Sequence, residues 1–174
     1  MSAWSLPMFA DAIRLLLFPG MMAFAASTDL FTMKISNRIP LILICGFCML
    51  SAFDGTPIID VGSHFAAGSM VLLVCFAFFS RGWIGGGDAK LAAATTLWLG
   101  WAHLFEYVLY ASLFGGALTL LLLEFRKRLL PPMLAKQAWL SRLHEPNGGV
   151  PYGIALAAAA LVVYPTTIWM LPEL

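Results

Sequence analysis

Residues 85–99 read GGGDAKLAAATTLWL: three glycines and the carboxylate of Asp88 open an apolar segment whose one other charge is Lys90. Glycines have no side chain, so a second backbone can approach the carboxylate closely. An ionisable residue at the end of a membrane helix is by default a functional hypothesis. Asp before a helical run is also an ordinary N-cap. From this stretch alone, both interpretations stay open.

The composition places the whole chain in the membrane class. Of its 174 residues, 61% are hydrophobic and only 11% are charged, which lies outside the range of soluble globular domains. A helical span needs about 20 residues, so six spans would occupy most of a single membrane domain covering residues 1–174. The net charge of +1 gives no clustered basic face for nucleic acid, and no nucleic-acid partner is expected.

The apolar segments predict an all-α integral membrane protein with six transmembrane helices, at about 8–28, 39–53, 65–79, 88–101, 104–125 and 150–170. Asp11 and Arg14, three residues apart, are expected to pair on the first helix. A turn at 54–57, continued as a loop through Asp60, Gly62 and His64, should precede the third helix. Residues 133–143 alternate apolar and polar side chains, which predicts an interfacial helix lying on the membrane or, equally, a solvated loop.

The three cysteines, Cys45, Cys48 and Cys75, all lie within apolar runs. The C-x-x-C spacing of the first two has no second pair and no histidine at ligand spacing. Buried small hydrophobic residues are therefore favoured over a metal or redox site. No metal and no cofactor are expected.

The basic residues predict the topology, because cytoplasmic loops carry the excess of lysine and arginine. Of ten basic residues, all except Arg14 fall in the loops after the first, third and fifth helices. Both termini are therefore expected outside, with these three loops in the cytoplasm. The nine are Lys34, Arg38, Arg81, Lys90, Arg126, Lys127, Arg128, Lys136 and Arg142.

This topology brings two carboxylates to the same depth. Asp29 ends the first predicted helix and Asp88 begins the fourth, both on the cytoplasmic side. Two close carboxylates share a proton, so that one acts as acid and the other as base toward a water. The pair predicts aspartyl-type amide hydrolysis. The alternative for Asp29 is a solvated helix end paired with Lys34 or Arg38. Glu124 and Glu145 share the cytoplasmic side but abut basic runs, so ion pairing or solvation explains them.

Three segments resemble the type IV prepilin peptidases, membrane aspartic proteases with a G-x-G-D motif. Residues 85–91, GGGDAKL, match the second-aspartate motif G-x-G-D-x-K-[LF]. Residues 29–38, DLFTMKISNR, resemble the first-aspartate motif, with Ser36 where the family usually has proline. Residues 150–153, VPYG, resemble a C-terminal P-Y-G segment. With the three segments in this order, the resemblance covers nearly the whole chain.

The resemblance implies a peptidase that removes the leader from pilin precursors at the cytoplasmic face of the bacterial inner membrane, with Asp29 and Asp88 as the catalytic pair. The chain lacks the cysteine-rich insert of the larger members, which also N-methylate the new pilin N-terminus. It therefore resembles the compact branch that serves Flp (tight-adherence) pili, and methyltransferase activity is not implied. The expected partners are a prepilin with one hydrophobic helix and a basic leader, the pilus assembly machinery and membrane lipid.

The other site residues carry open interpretations. Gly85 and Gly87 would shape the surroundings of Asp88. Lys90, which does not face Asp88 on a helix, would reach lipid phosphate or hold an acidic residue of the substrate. Asn37 and Arg38 would position substrate or cap and orient their loop, and Tyr152 would be an interfacial anchor or line the site.

The helix dipole separates the roles of the two carboxylates. Asp88, at a helix N-terminus, is the expected base. Asp29, at a helix C-terminus, is the expected proton donor.

Two other classes use the same acidic pair. One is a non-catalytic assembly factor or a small cation- or proton-coupled transporter, although a transporter would need a polar path that these helices hardly offer. The other is a presenilin-like protease that cuts within the bilayer and would accept varied transmembrane substrates.

Overall fold

The computed structural model describes residues 11, 13–146 and 148–170, and every regular element in these ranges is helical. The predicted all-α class is confirmed. A π-helical turn at Ile13–Leu17 leads into the first α-helix, and a 3-10 turn at Tyr164–Thr166 follows the last. The α-helices are α1 (Phe18–Thr32), α2 (Arg38–Asp54), α3 (Ile58–Ser80), α4 (Gly86–Leu99), α5 (Leu104–Lys127), α6 (Pro132–Ala135), α7 (Ala138–His144) and α8 (Tyr152–Val163).

Three helical stretches are long and apolar enough to cross a membrane: Ile13–Thr32, Ile58–Ser80 and Leu104–Lys127. Between 11% and 22% of each is buried within the protein, as suits helices that face lipid. By contrast, α2, α4 and α8 have 17, 14 and 12 residues, or roughly 18–26 Å of helix, which is less than the bilayer core of about 30 Å. The chain is a membrane protein, and six spans with both termini outside stay a prediction.

Helix α4 forms the centre of the bundle. Every residue from Leu91 to Leu99 is buried, and the helix packs against α2, α3 and α8. A helix that is apolar on all sides belongs in a core. Helix α3 approaches closely at Gly68, where an added Cβ would lie 3.0 Å from the carbonyl oxygen of Ala93. The buried body of α4 therefore gives a fixed base to its N-terminal turn.

The predicted loop through Asp60, Gly62 and His64 is wrong, because α3 already begins at Ile58. Asp60 lies in the first turn of the helix, where a negative charge suits the dipole. The Nδ1 atom of His64 lies 2.7 Å from the carbonyl oxygen of Leu97 in α4. A partner in another helix thus satisfies the polar residue that suggested a loop.

The prediction that the cysteines are buried is also wrong for Cys45 and Cys48, which are exposed on α2, whereas Cys75 is half-buried. In a membrane protein the lipid-facing surface is as apolar as the core. An apolar run therefore does not distinguish a buried side chain from one that faces lipid.

The polar interval before α8 is neither one interfacial helix nor a plain loop. It forms two short helices, α6 and α7, separated at Lys136 and Gln137. The last helix ends at Val163 rather than near 170, because Pro165 cannot continue the helical hydrogen bonds. The predicted pairing of Arg14 with Asp11 is confirmed at 2.8 Å.

Candidate active site

Asp29 lies in the last turn of α1 and is 5% exposed. The helix ends three residues later, and Met33 follows in a left-handed conformation with φ of 55°. The backbone N–H of Met33 donates to the carbonyl oxygen of Asp29 at 2.8 Å. The main chain of Asp29 thus closes the helix, while its side chain enters the protein.

The side chain of Asp29 is held by the start of α8. The backbone N–H of Gly153 donates to Oδ2 of Asp29 at 2.7 Å. Gly153 is the second residue of α8, and the N–H groups of a first helical turn have no partner within their own helix. A Cβ at this position would lie 2.8 Å from Oδ2 of Asp29 and 2.7 Å from Cδ1 of Ile35. Only glycine fits here without displacing a neighbour.

Asp88 is held by the start of its own helix. It is half-buried and is the third residue of α4, which follows the N-cap residue Gly85. Its carboxylate turns back and interacts with the backbone of Gly85, as an acidic residue at this position does in a capping box. A Cβ at Gly85 would lie 2.8 Å from Oδ2 of Asp88. The N-cap interpretation of Asp88 is therefore wrong: the N-cap is Gly85, and Asp88 lies three residues further on, in the first turn of the helix.

The two carboxylates lie close enough for the charge of Asp29 to act on Asp88. Ile35 lies between the surroundings of the two carboxylates. An added Cβ at Gly87 would lie 3.1 Å from the Cβ of Ile35, and the Cδ1 atom of Ile35 lies close to Gly153. Neither Lys34 nor Arg38 forms an ion pair with Asp29 among the described residues. A buried and a half-buried carboxylate at this separation can share a proton and activate a water.

Lys90 and Asn37 meet on another side of α4. Lys90 Nζ donates to Oδ1 of Asn37 at 2.8 Å, which links the two aspartate segments away from the carboxylates. Both residues line a cavity of about 430 Å³ between α2, α3 and α4, and Arg38 begins α2 beside them. The other lining residues are Pro40, Leu41, Ile44, Phe65, Gly68, Ser69, Leu72, Ala93, Ala94 and Leu97.

Tyr152 contacts α5 rather than the carboxylates. Its hydroxyl lies 3.1 Å from Oγ1 of Thr119, and an added Cβ at Gly115 would lie 3.3 Å from its ring. Tyr152 thus fixes the start of α8 immediately before Gly153. Its influence on the site is therefore indirect and passes through Gly153, the next residue in the chain.

Sequence reasoning assigned no role to Gly153 and Ile35. The signal for Gly153 was present, because a glycine at a predicted helix start leaves room for close approach. Its partner could not be read from the sequence, because Asp29 lies 124 residues away. Among the described residues, no group of three or more histidine, cysteine, aspartate or glutamate side chains could hold a metal ion.

The chain matches the model of a known protein family. The model of the type IV leader peptidase family matches residues 16–120, more than half of the chain, including both Asp29 and Asp88. No curated protein and no solved structure matches the chain.

Proposed function

Because the chain belongs to the type IV leader peptidase family, we propose that it is a membrane aspartic endopeptidase that removes the short leader from Flp-type prepilins at the cytoplasmic face of the inner membrane. Family membership supports a protease that acts on prepilin-type substrates. The absence of a cysteine-rich insert and the basic loops of the sequence support the finer assignment. The observation that carries the proposal is that Asp29 on α1 and Asp88 on α4 lie close enough for the charge of one carboxylate to act on the other.

In the proposed reaction, the pair hydrolyses the peptide bond after the leader. The carboxylate of Asp88 takes a proton from a water, whose oxygen attacks the scissile carbonyl carbon. Asp29 donates its proton to the leaving nitrogen as the C–N bond breaks. The products are the free leader carboxylate and a new pilin N-terminus.

The dipole of the helix that carries each group supports these roles, whereas the hydrogen bond that Asp29 accepts from the start of α8 favours the anion of Asp29. Asp88 lies at a helix N-terminus, where the dipole favours the anion, and Asp29 lies at a helix C-terminus, where the dipole disfavours it. Oδ2 of Asp29 already accepts the Gly153 N–H. The proton that Asp29 donates is therefore assigned to its other oxygen, Oδ1.

The test is co-expression of an Flp-type prepilin with the wild-type chain, with Asp29→Asn and with Asp88→Asn, followed by the mass and N-terminal sequence of the pilin. Wild type should shorten the pilin by its leader. Each variant should lower cleavage by roughly 100- to 10,000-fold, the range for loss of a general acid or base. The mass of the product also shows whether its N-terminus is methylated.

Asp60→Asn is the matched control, because Asp60 is an exposed carboxylate in the first turn of another helix. It should cleave as wild type does. Cleavage that survives either site substitution would discard the carboxylate pair. Cleavage of unrelated transmembrane segments would favour the presenilin-like alternative, and cation or proton flux without cleavage would favour the transporter.

A further inference from the structure

The basic segment, defined here as residues 126–149, contacts both structures that surround Asp29. These are the end of α1, which carries the carboxylate, and the start of α8, which supplies its hydrogen-bond donor. Two arginines make these contacts, Arg126 and Arg142. Both lie outside residues 16–120, to which the family model aligns.

Arg142 contacts the end of α1. Its Nη1 donates to the carbonyl oxygen of Phe31 at 2.8 Å, two residues after Asp29. The last four carbonyl groups of a helix have no partner within the helix, and a cation there also complements the dipole. Trp139, on the same short helix as Arg142, packs edge-on against the ring of Phe31, with the centroids 5.4 Å apart.

Arg126 connects the end of α5 to the chain before α8. Its Nε donates to the carbonyl oxygen of Leu143 at 2.8 Å, and its Nη2 donates to that of Gly149 at 2.7 Å. Leu143 is a neighbour of Arg142 in the chain. Gly149 precedes Gly153 by four residues. One half-buried guanidinium thus fixes both ends of the segment.

We infer that Arg126 and Arg142 are positioning residues, which hold the carboxylate of Asp29 against the N–H of Gly153 by fixing the end of α1 and the start of α8. This inference rests on the proposed peptidase function. It gives the basic segment a role that depends on its specific contacts with α1 and with the chain before α8. A membrane anchor would act by charge alone, since anionic lipid attracts each lysine or arginine near the surface by about the same energy.

Basic neighbours in the same segment provide matched controls. Arg128 pairs with Glu124, and its side chain is 77% exposed. Lys136 is exposed between α6 and α7. Replacing either with alanine removes one positive charge, as Arg126→Ala and Arg142→Ala do, but removes no contact with α1 or α8.

The first measurement is the kcat and KM of leader cleavage for these four alanine variants and for Arg126→Lys and Arg142→Lys. We expect kcat to fall 10- to 100-fold for Arg126→Ala and Arg142→Ala, with KM changed less than about twofold, because displaced reacting groups slow chemistry rather than binding. Lysine should restore part of the activity at 142, where one hydrogen bond is made. Lysine should not restore activity at 126, where the planar guanidinium donates two hydrogen bonds.

Gly148→Ala tests the geometry without changing any charge. Its added Cβ would lie 3.0 Å from the carbonyl oxygen of Glu145, 3.1 Å from that of Arg142 and 3.3 Å from Nη2 of Arg126. If the arginines position Asp29, kcat should fall. If the segment is only a membrane anchor, kcat should not change. This variant also serves if Arg126→Ala fails to fold.

Hydrogen exchange at residues 149–155 gives a readout that does not depend on peptidase activity. Arg126→Ala should accelerate exchange there and Arg128→Ala should not. Equal losses for all four alanine variants, or unchanged exchange in Arg126→Ala, would overturn the inference. If the wild-type chain cleaved no prepilin, yet Arg126→Ala accelerated exchange as expected, only the proposed function would be contradicted.

Discussion

Asp29 and Asp88, the proposed catalytic carboxylates, are held by the fold in opposite ways. Asp88 is positioned by its own helix, since Gly85, three residues earlier, is its backbone partner. Asp29 is positioned by a distant part of the chain, since its partner is the N–H of Gly153, 124 residues later. One half of the site is thus a local structure, and the other half exists only when α1 and α8 are packed together.

This difference determines how each half should respond to substitution. A local site can adjust within one helical turn, because few other groups depend on it. A site built from two helices transmits a displacement of either one to the reacting atoms, and misplacement by about 1 Å can cost 100-fold in rate. The two halves should therefore tolerate the same change unequally.

Among the substitutions that compare the two halves, alanine at the two glycines has the largest expected effect. At Gly153 an added Cβ would lie 2.7 Å from Cδ1 of Ile35, 2.8 Å from Oδ2 of Asp29 and 3.1 Å from Cβ of Asp29. At Gly85 its one close contact would be the end of the Asp88 side chain, which can rotate away. We expect Gly153→Ala to lower kcat about 100-fold and Gly85→Ala to lower it about tenfold, as measured by leader cleavage in membranes.

Gly116→Ala is the control for these substitutions, because beyond its own helical turn no atom of the described residues lies within 4 Å of the Cβ it would add. Alanine is also the better helix former by roughly 1 kcal/mol, so the variant should be as active as wild type and slightly more stable. Equal losses at Gly153 and Gly85 would contradict the distinction between the two halves.

The pH dependence of kcat sharpens the comparison at the level of chemistry. A base is lost when it is protonated, on the acid side of the profile, and a donor is lost when it is deprotonated, on the alkaline side. Asp88→Glu should therefore move the acid limb, and Asp29→Glu the alkaline limb, each by about one pH unit or less. The measurement is the rate of leader cleavage across pH in detergent or nanodiscs.

The two limbs belong to the pair, because coupled groups titrate together. Movement of different limbs by the two variants would support the assigned roles. If both variants moved the same limb, the assignment of base and donor would be wrong, while the pair itself would stand. Asp60→Glu, on an exposed helix start, should leave both limbs in place.

The same difference explains how much could be predicted from the sequence. The setting of Asp88 is local, so the glycines before it predicted a close approach of backbone to carboxylate. The shared position of Asp29 and Asp88 followed from the charge of the loops and a family resemblance. The Gly153 contact and the Arg142 contact with Phe31 could not be predicted, because they depend on how α8 and the basic segment pack on α1.

Errors in the predicted fold have a related cause. His64 suggested a loop, but its partner is a carbonyl group in α4, and Cys45 suggested a core position, although it is exposed. In a membrane protein, the polarity of a side chain does not predict whether it is buried, because lipid and protein core are both apolar. Helix existence was therefore predictable from the pattern, whereas helix faces and partners were not.

The smallest expected effect tests the turn that follows Asp29. Met33 adopts a left-handed φ of 55°, which costs a residue with a side chain about 1 kcal/mol, and glycine adopts it freely. Met33→Gly should therefore raise the thermal unfolding midpoint by roughly 2–4 °C, with kcat unchanged. Gly55→Ala, at φ of 65° with open space around it, is the converse change far from the site and should lower the midpoint by a similar amount. If Met33→Gly instead lowered kcat without a rise in midpoint, the left-handed turn would itself hold Asp29 in place, and α1 would contribute more to that position than its contacts with α8 and Arg142 suggest.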